Sequence, residues 1–437
     1  MIKHILMLTI GLMLVTLTRA SGQSASPDSL TLKEAIHNVL QNQPSLDEIQ
    51  DQVNAAESQV RQAHVTYYPK AAANVDYSHI NPVPSVSLGN GGTFTIAPYN
   101  NYDFNVSIEQ DLYDFGRTKA DIALAKSRML TTQDQARVVK WTLSYYTTQI
   151  FYGVLFLRHS INVENEQIST LQHDLDLVKK RQEGGTATNY DLLTTKVQIA
   201  TEKNRKVDLE NTRNKQLIVL RKLMGWNQSR PLDVMGSFQP DTTTGLNGVP
   251  SLNMGMRPDF QILKDKENIY QKQYDLARTI ELPSLNAEGV AGFKDGYPSD
   301  LNKLFGNIML GVNLKVPIFS GYISRYKQQE AEANMKSVEA EKRNLTRNAK
   351  SQIARAKSDY RAAEKKLKTS KLQIQQAQEQ IKLARIRYEN GVITSQDLLD
   401  SETKLAQARL QRLNNIYQMT LSRYNLRKAL GEDIWNQ

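Results

Sequence analysis

Two stretches of more than a hundred residues contain no proline: Tyr99 to Arg230 and Ile318 to Gln437. Proline breaks helix interiors, because it lacks the N–H donor and its ring clashes with the preceding turn. Two runs without it, in a chain that has thirteen prolines elsewhere, predict very long helices. Glycine cuts each run at one place: Gly184 and Gly185 in the first, Gly391 in the second, with Gly225 and Gly431 closing the shorter arms. The long arms are Arg117 to Glu183 and Tyr322 to Asn390. At ~1.5 Å per residue each spans on the order of 100 Å. No compact domain needs helices of that length, so they must pack side by side as coiled coils. The apolar residues Leu399, Ala406, Leu410, Leu413 and Tyr417 follow the steps that such packing requires.

Strands are predicted only just before each long helix. Tyr102 to Glu109 and Ile308 to Val316 alternate apolar and polar, and weaker alternation runs through Ala73–Tyr77 and Leu285–Phe293. One face carries Phe104, Val106, Ile108, Leu310, Val312 and Leu314. The other carries Asp103, Asn105, Ser107, Glu109, Asn313 and Lys315, the residues that would line the lumen of a barrel. Each segment is near the ~10 residues of a tilted membrane strand. A half-buried antiparallel sheet would show the same alternation.

The chain repeats itself. Arg181-Gln182-Glu183-Gly184-Gly185 through Asp191-Leu192-Leu193 matches Arg387-Tyr388-Glu389-Asn390-Gly391 through Asp397-Leu398-Leu399, an offset of 391 − 185 = 206. Pro44 and Pro69 match Pro258 and Pro283. The expected organisation is a signal peptide over 1–22, a first repeat over 23–225, a linker or equatorial segment over 226–257 and a second repeat over 258–437. The first repeat holds strands at about 71–82 and 102–113, the second at about 284–294 and 306–317. Four strands cannot close a barrel, and lipid does not tolerate an open sheet edge. Twelve strands from three chains is the economical solution.

Composition narrows the function. There is no cysteine, which excludes a disulfide framework, a thiolate metal site and a lipid anchor on an N-terminal cysteine. The formal charge is +10, spread through acidic helices without a compact basic block, so no nucleic-acid partner is expected. Lys3 and His4 precede the apolar run Ile5–Leu17 and small residues at Ala20-Ser21-Gly22, the pattern of a secretory signal. No other stretch reaches the ~20 apolar residues of a membrane helix. The six histidines show no metal spacing, and Gly89-Asn90-Gly91-Gly92 lacks the Lys-Ser/Thr of a phosphate loop. No catalytic, cofactor or metal residue is expected, and the chain reads as no enzyme. A soluble coiled-coil adaptor or scaffold is the competing reading. It accounts for the heptads but not for the paired strands.

In Ser29-Leu30-Thr31-Leu32-Lys33-Glu34-Ala35-Ile36 with Asn42-Gln43-Pro44-Ser45-Leu46, in Leu112-Tyr113-Asp114-Phe115-Gly116-Arg117, in Pro317-Ile318-Phe319-Ser320-Gly321 and in the two glycine-turn motifs, the chain resembles the TolC family of outer-membrane efflux and secretion ducts. The resemblance covers nearly the whole mature chain. It implies an α+β membrane protein: a trimeric 12-stranded β-barrel, four strands per chain, continued by a long periplasmic α-helical coiled-coil barrel. It implies a Gram-negative outer-membrane location, without lipidation here. It also implies partners: a homotrimer in outer-membrane lipid, a periplasmic adaptor (membrane fusion protein), and an inner-membrane RND, ABC or MFS transporter. Gly184, Gly185 and Gly391 would turn the periplasmic tips that meet the adaptor.

Asp397 and Asp400 stand i, i+3 on one helix face. The resemblance places them at the pore constriction, where a trimer would stack two carboxylate rings that favour cations. Spacing alone equally fits helix capping, with Thr394 and Asp397 as the box. By resemblance Asp191 and Tyr388 form a hydrogen-bonded network that holds the tips closed. The family pattern can carry an arginine in that network, and Ile393 stands at its place, so packing or fewer polar links must serve.

Overall fold

The computed structural model describes residues 28–89, 91–239 and 254–435. The expected signal peptide and residues 240–253 of the expected linker lie outside the described residues. The chain runs through β1 (Asp28–Leu30), α1 (Leu32–Asn42), α2 (Pro44–His64), β2 (Lys70–His79), a hairpin of β3 (Ser85–Leu88) and β4 (Gly92–Thr95), and β5 (Asn100–Tyr113). Two helices follow, α3 (Arg117–Glu183) and α4 (Asn189–Leu223), then the short β6 (Leu232–Val234). The second half is α5 (Pro258–Arg278), β7 (Ser284–Lys294), β8 (Phe305–Lys315), α6 (Ile323–Glu389) and α7 (Ser395–Leu430).

α3 and α6 are 67 residues each, and neither contains a proline. Each starts a few residues past a strand and runs uninterrupted to a glycine turn. At the first strand-to-helix junction, Asp114 accepts from the N–H groups of Gly116 (3.0 Å) and Thr118 (2.6 Å), a carboxylate placed where the helix dipole favours it. Both α2 and α5 begin with proline as their first residue, the place where a missing N–H costs nothing.

The four strands predicted from alternation form one antiparallel sheet in the order β2-β5-β7-β8. Their ends move slightly from the expected ones. β2 stops at His79 and β8 at Lys315, before Pro82 and Pro317, which cannot donate to a ladder. The register places Asp103 opposite Lys294, Glu109 opposite Glu288, Asn286 opposite Asn313 and Ser284 opposite Lys315. All six polar candidates therefore share one face. The opposite face is apolar and bare: Ile308 is 79% exposed and Leu310 82%. β2 and β8 are open edges of this sheet within the protomer.

Two pairings have no counterpart in the sequence expectations. Of the glycine-rich loop, Gly89 and Gly91 lie between β3 and β4 and Gly92 opens β4, in a hairpin with Val86 opposite Phe94. β1 pairs in parallel with β6, Asp28 with Leu232 and Leu30 with Val234, which ties the N-terminal segment to the start of the linker. Three residues per strand are too few for alternation to register.

The largest apolar core lies beside this pair. Ala35 and Val39 of α1, Phe151, Val154 and Leu155 of α3, Leu220 at the end of α4, Met224 just beyond it and Val234 of β6 meet there, joined by Tyr360 of α6 and Met419 of α7. Near it Gly431 ends α7 at φ 83°, with its Cα so close to Arg257 that a methyl group would sit 2.9 Å from that residue's backbone. Only glycine lets α7 end against the start of α5 in this way.

Candidate functional site: the helix tips

The two turns at the far ends of the long helices have one construction. In the first, Thr186 N–H donates to Arg181 O (2.7 Å) and Gly185 N–H to Gln182 O (3.0 Å). In the second, Val392 N–H donates to Arg387 O (2.8 Å) and Gly391 N–H to Tyr388 O (2.8 Å). This is a Schellman ending, and Gly185 and Gly391 supply its left-handed residue at φ 72° and 73°. Each following helix opens with a capping box in which an aspartate replaces the usual Glu or Gln. Thr188 N–H donates to Asp191 Oδ2 (2.9 Å) while Asp191 N–H donates to Thr188 Oγ1 (3.2 Å). Thr394 and Asp397 repeat the same two distances.

The boxes decide what these aspartates touch. Asp191 spends its carboxylate on Thr188, and no hydrogen bond joins it to Tyr388 within the protomer. Tyr388 is instead buried beneath Arg181. The guanidinium donates from Nη1 to Tyr388 O (2.5 Å), and its Cζ lies 4.5 Å from the centre of the phenol ring. Burial pushes the Tyr388 hydroxyl above its usual range; the Arg181 charge opposes that shift and the Asp191 charge adds to it. Around it pack Val178, Ala384 and Leu398, with Leu192 and Ile393 at the margin. The tip cation thus comes from the end of α3, and Ile393 contributes apolar surface. Arg181 was within reach of the sequence: it aligns with Arg387 in the duplicated motif. Nothing in a linear repeat says that it crosses to the other hairpin.

Asp397 and Asp400 lie on one face as their spacing requires. They line a shallow groove of about 380 Å³ together with Arg387, Ile393, Ser401 and Lys404. Asp400 accepts from Gln396 Nε2 (2.7 Å). Asp397 is fully exposed, and its hydrogen bonds from Thr394, with a smaller contribution from Arg387, hold its carboxyl below the usual range. In one protomer the aspartates are therefore both capping groups and an acidic pair flanked by two cations.

At the other end, the polar face of the sheet is knitted by its own side chains. Lys294 Nζ lies 3.3 Å from Asp103 Oδ2. Asn74 Nδ2 donates to Asn105 Oδ1 (2.9 Å) and to Ser107 Oγ (3.2 Å). Among the described residues no helix is long and apolar enough to cross a membrane.

Known proteins share this fold. The sequence profile of the family described as "Outer membrane efflux protein" matches residues 35–226 and 249–432. The chain is 21% identical over 231 residues to the alkaline protease secretion protein AprF of Pseudomonas aeruginosa, a match covering 51% of this chain and 47% of that protein. With the outer membrane protein TolC of Salmonella enteritidis it shares 21% over 451 residues, covering 98% of this chain and 86% of that one. The chain thus spans about half of AprF but most of TolC. The fold matches the crystal structure of CusC with a TM-score of 0.77 at 18% identity, over 96% of each chain. Since the profile runs through both repeats, from α1 to the end of α7, this chain belongs to the outer membrane efflux protein family.

Proposed function

We propose that this protein is the outer-membrane exit duct of a tripartite efflux pump or type I secretion system. Three copies close a twelve-stranded barrel, and their helices continue it as a tunnel into the periplasm, where an adaptor and an inner-membrane RND, ABC or MFS transporter engage the tips. The observation that carries this reading is the four-stranded sheet with a bare apolar face, a polar face and two open edges, joined to paired helices about 100 Å long. A sheet of that kind is stable in lipid only when its edges are paired. Three copies placed around an axis pair each β2 with a neighbouring β8. The family membership and the match to a transmembrane channel fold support the same reading.

The gate lies at the tips. Asp397 and Asp400 of three chains form stacked carboxylate rings facing the axis, and the Arg181–Tyr388 contact with its apolar surroundings keeps each hairpin against its neighbour. Gly184, Gly185 and Gly391 shape the surface that meets the adaptor. The polar residues Asp103, Asn105, Ser107, Glu109, Asn313 and Lys315 line the barrel lumen. No catalytic chemistry is assigned.

Single-channel conductance in a planar bilayer tests this. The wild type should give small, cation-selective steps, and Asp400→Ala should give larger and less selective ones. Silence from a folded, detergent-extracted trimer would refute the duct. Unchanged steps in the variant would keep the duct and remove Asp400 from its gate.

A further inference from the structure

α3 meets three of its neighbours acid against acid. It presents Asp134 to Asp265 of α5, Glu164 to Glu202 of α4, and Asp174 to Glu402 of α7. The last two pairs are deep: Glu164 is 0% exposed, and Asp174, Glu202 and Glu402 are each 2%. One arginine serves each deep pair. Arg205 Nη1 lies 3.1 Å from Glu202 Oε2 and 3.9 Å from Glu164 Oε1. Arg385 Nη2 lies 2.8 Å from Glu402 Oε1 and 3.4 Å from Asp174 Oδ1. At the outer pair Gln261 Nε2 donates to Asp265 Oδ1 (3.0 Å), and Arg137 stands 3.6 Å from Asp134.

These partners do not suffice. Both oxygens of Glu164, Oδ2 of Asp174, Oε2 of Glu402 and Oδ2 of Asp265 are buried with no donor. Two ionised carboxylates against one guanidinium would also leave a net negative charge out of water, which is costly. A single shared proton balances the charge of each deep pair and supplies the missing hydrogen bond at Asp174–Glu402, where each acid has one oxygen without a donor. It turns one acid into an O–H donor toward the other and makes the cluster neutral.

We propose that α3 is fastened to its neighbours by proton-sharing carboxyl pairs, and that the Asp174–Glu402 pair makes its hold on the α6–α7 tip a proton-operated catch. This rests on the tips being the gate. Arg385 is three residues before Tyr388 and Glu402 two after Asp400, so the catch sits next to the tip contacts. The charged groups facing Glu402 are Asp174 from α3 and Arg385 from α6. From α4 the neighbouring contribution is Ile199, packed with Leu171 and Leu399.

Burial, then Asp174, pushes the Glu402 carboxyl up to about 9, against the pull of Arg385. Burial and the facing acid likewise raise Glu164 to about 7 and Asp265 to about 6. These values are raised, so the hold each pair supplies is complete below the ordinary value of 4.5 or 3.8. It weakens as pH rises and is lost above the raised value. The tip catch is the last to fail, over a window ending near pH 9.

The test is amide hydrogen exchange of the full-length protein in detergent, comparing wild type with Glu402→Gln at each pH. Between about pH 6 and about pH 9 the first turns of α7 should lose roughly tenfold or more of their protection in the wild type, while the variant, a permanent mimic of the protonated acid, stays flat. Asp174→Asn should flatten the profile in the same way. A wild-type profile in both variants overturns the catch, whatever the conductance. A flattened profile in a protein that conducts nothing keeps the catch as a packing device and refutes the gate. In bilayers, wild-type open probability should rise over the same pH range, and that of Glu402→Gln should not.

Discussion

Arg181 is the residue on which the tip contact turns. Its guanidinium combines a hydrogen bond to the Tyr388 carbonyl with a stacked position over the same residue's ring. A charge-assisted bond of this kind contributes ~1.5–3 kcal/mol and a partly exposed cation–π contact ~0.5–1 kcal/mol. Arg181→Met keeps an apolar stem of similar length to arginine's and removes both. Exchange protection at Gly391 and Val392 should fall roughly ten- to thirtyfold, equivalent to about 2 kcal/mol. Unchanged protection would mean that the apolar cluster around Tyr388 holds the tip unaided. Ile393 contributes apolar surface to that cluster, and the cation over Tyr388 is Arg181 of the other hairpin. The residue types at the tips were legible in the duplicated motif. The direction in which Arg181 points was not, because it depends on how two hairpins lie against each other.

At the scale of elements, the capping boxes connect helix stability to the acidic pair. Asp397 is both the N3 residue of α7 and a candidate gate carboxylate, so replacing it confounds the two roles. Asp400, bound only to Gln396, is the cleaner probe. Thr394→Ala should destabilise the tip by ~1 kcal/mol at neutral pH. The Asp397 carboxyl lies below its ordinary value of 3.8, so the support it gives is present above that value and is lost as pH falls through the lowered one. The difference between wild type and Thr394→Ala in thermal melts should therefore shrink in acid. A difference that is constant with pH would mean that the Asp397 side of the box contributes nothing. The long helices were legible because proline and glycine mark their limits one residue at a time. The β1–β6 pair was not, since three residues carry no period and the pairing joins segments 204 residues apart, 232 − 28.

For the whole molecule, the two faces of the sheet make opposite demands on substitution. Val312 is 68% exposed on the apolar face, and Asn313 beside it points to the polar one. A lysine on the lipid side of a barrel costs ~2–4 kcal/mol near the bilayer midplane. Val312→Lys should therefore deplete the membrane-inserted trimer, while Asn313→Lys should leave it intact. Fractionation and chemical cross-linking measure both, and equal behaviour of the two variants would remove the barrel from the account. Local rules were enough to read off the long helices, the four strands, the alternation of their faces, the glycine tips and the tandem repeat, because each rests on periodicity or on the backbone limits of proline and glycine. The acid pairs of α3 follow from no such rule. Along the sequence Asp174 and Glu402 are two polar residues on polar helices, indistinguishable from a solvated face. Their burial, their shared arginine and their missing donors exist only once three helices pack together, because the free energy of a charge depends on what surrounds it and not on its place in the chain.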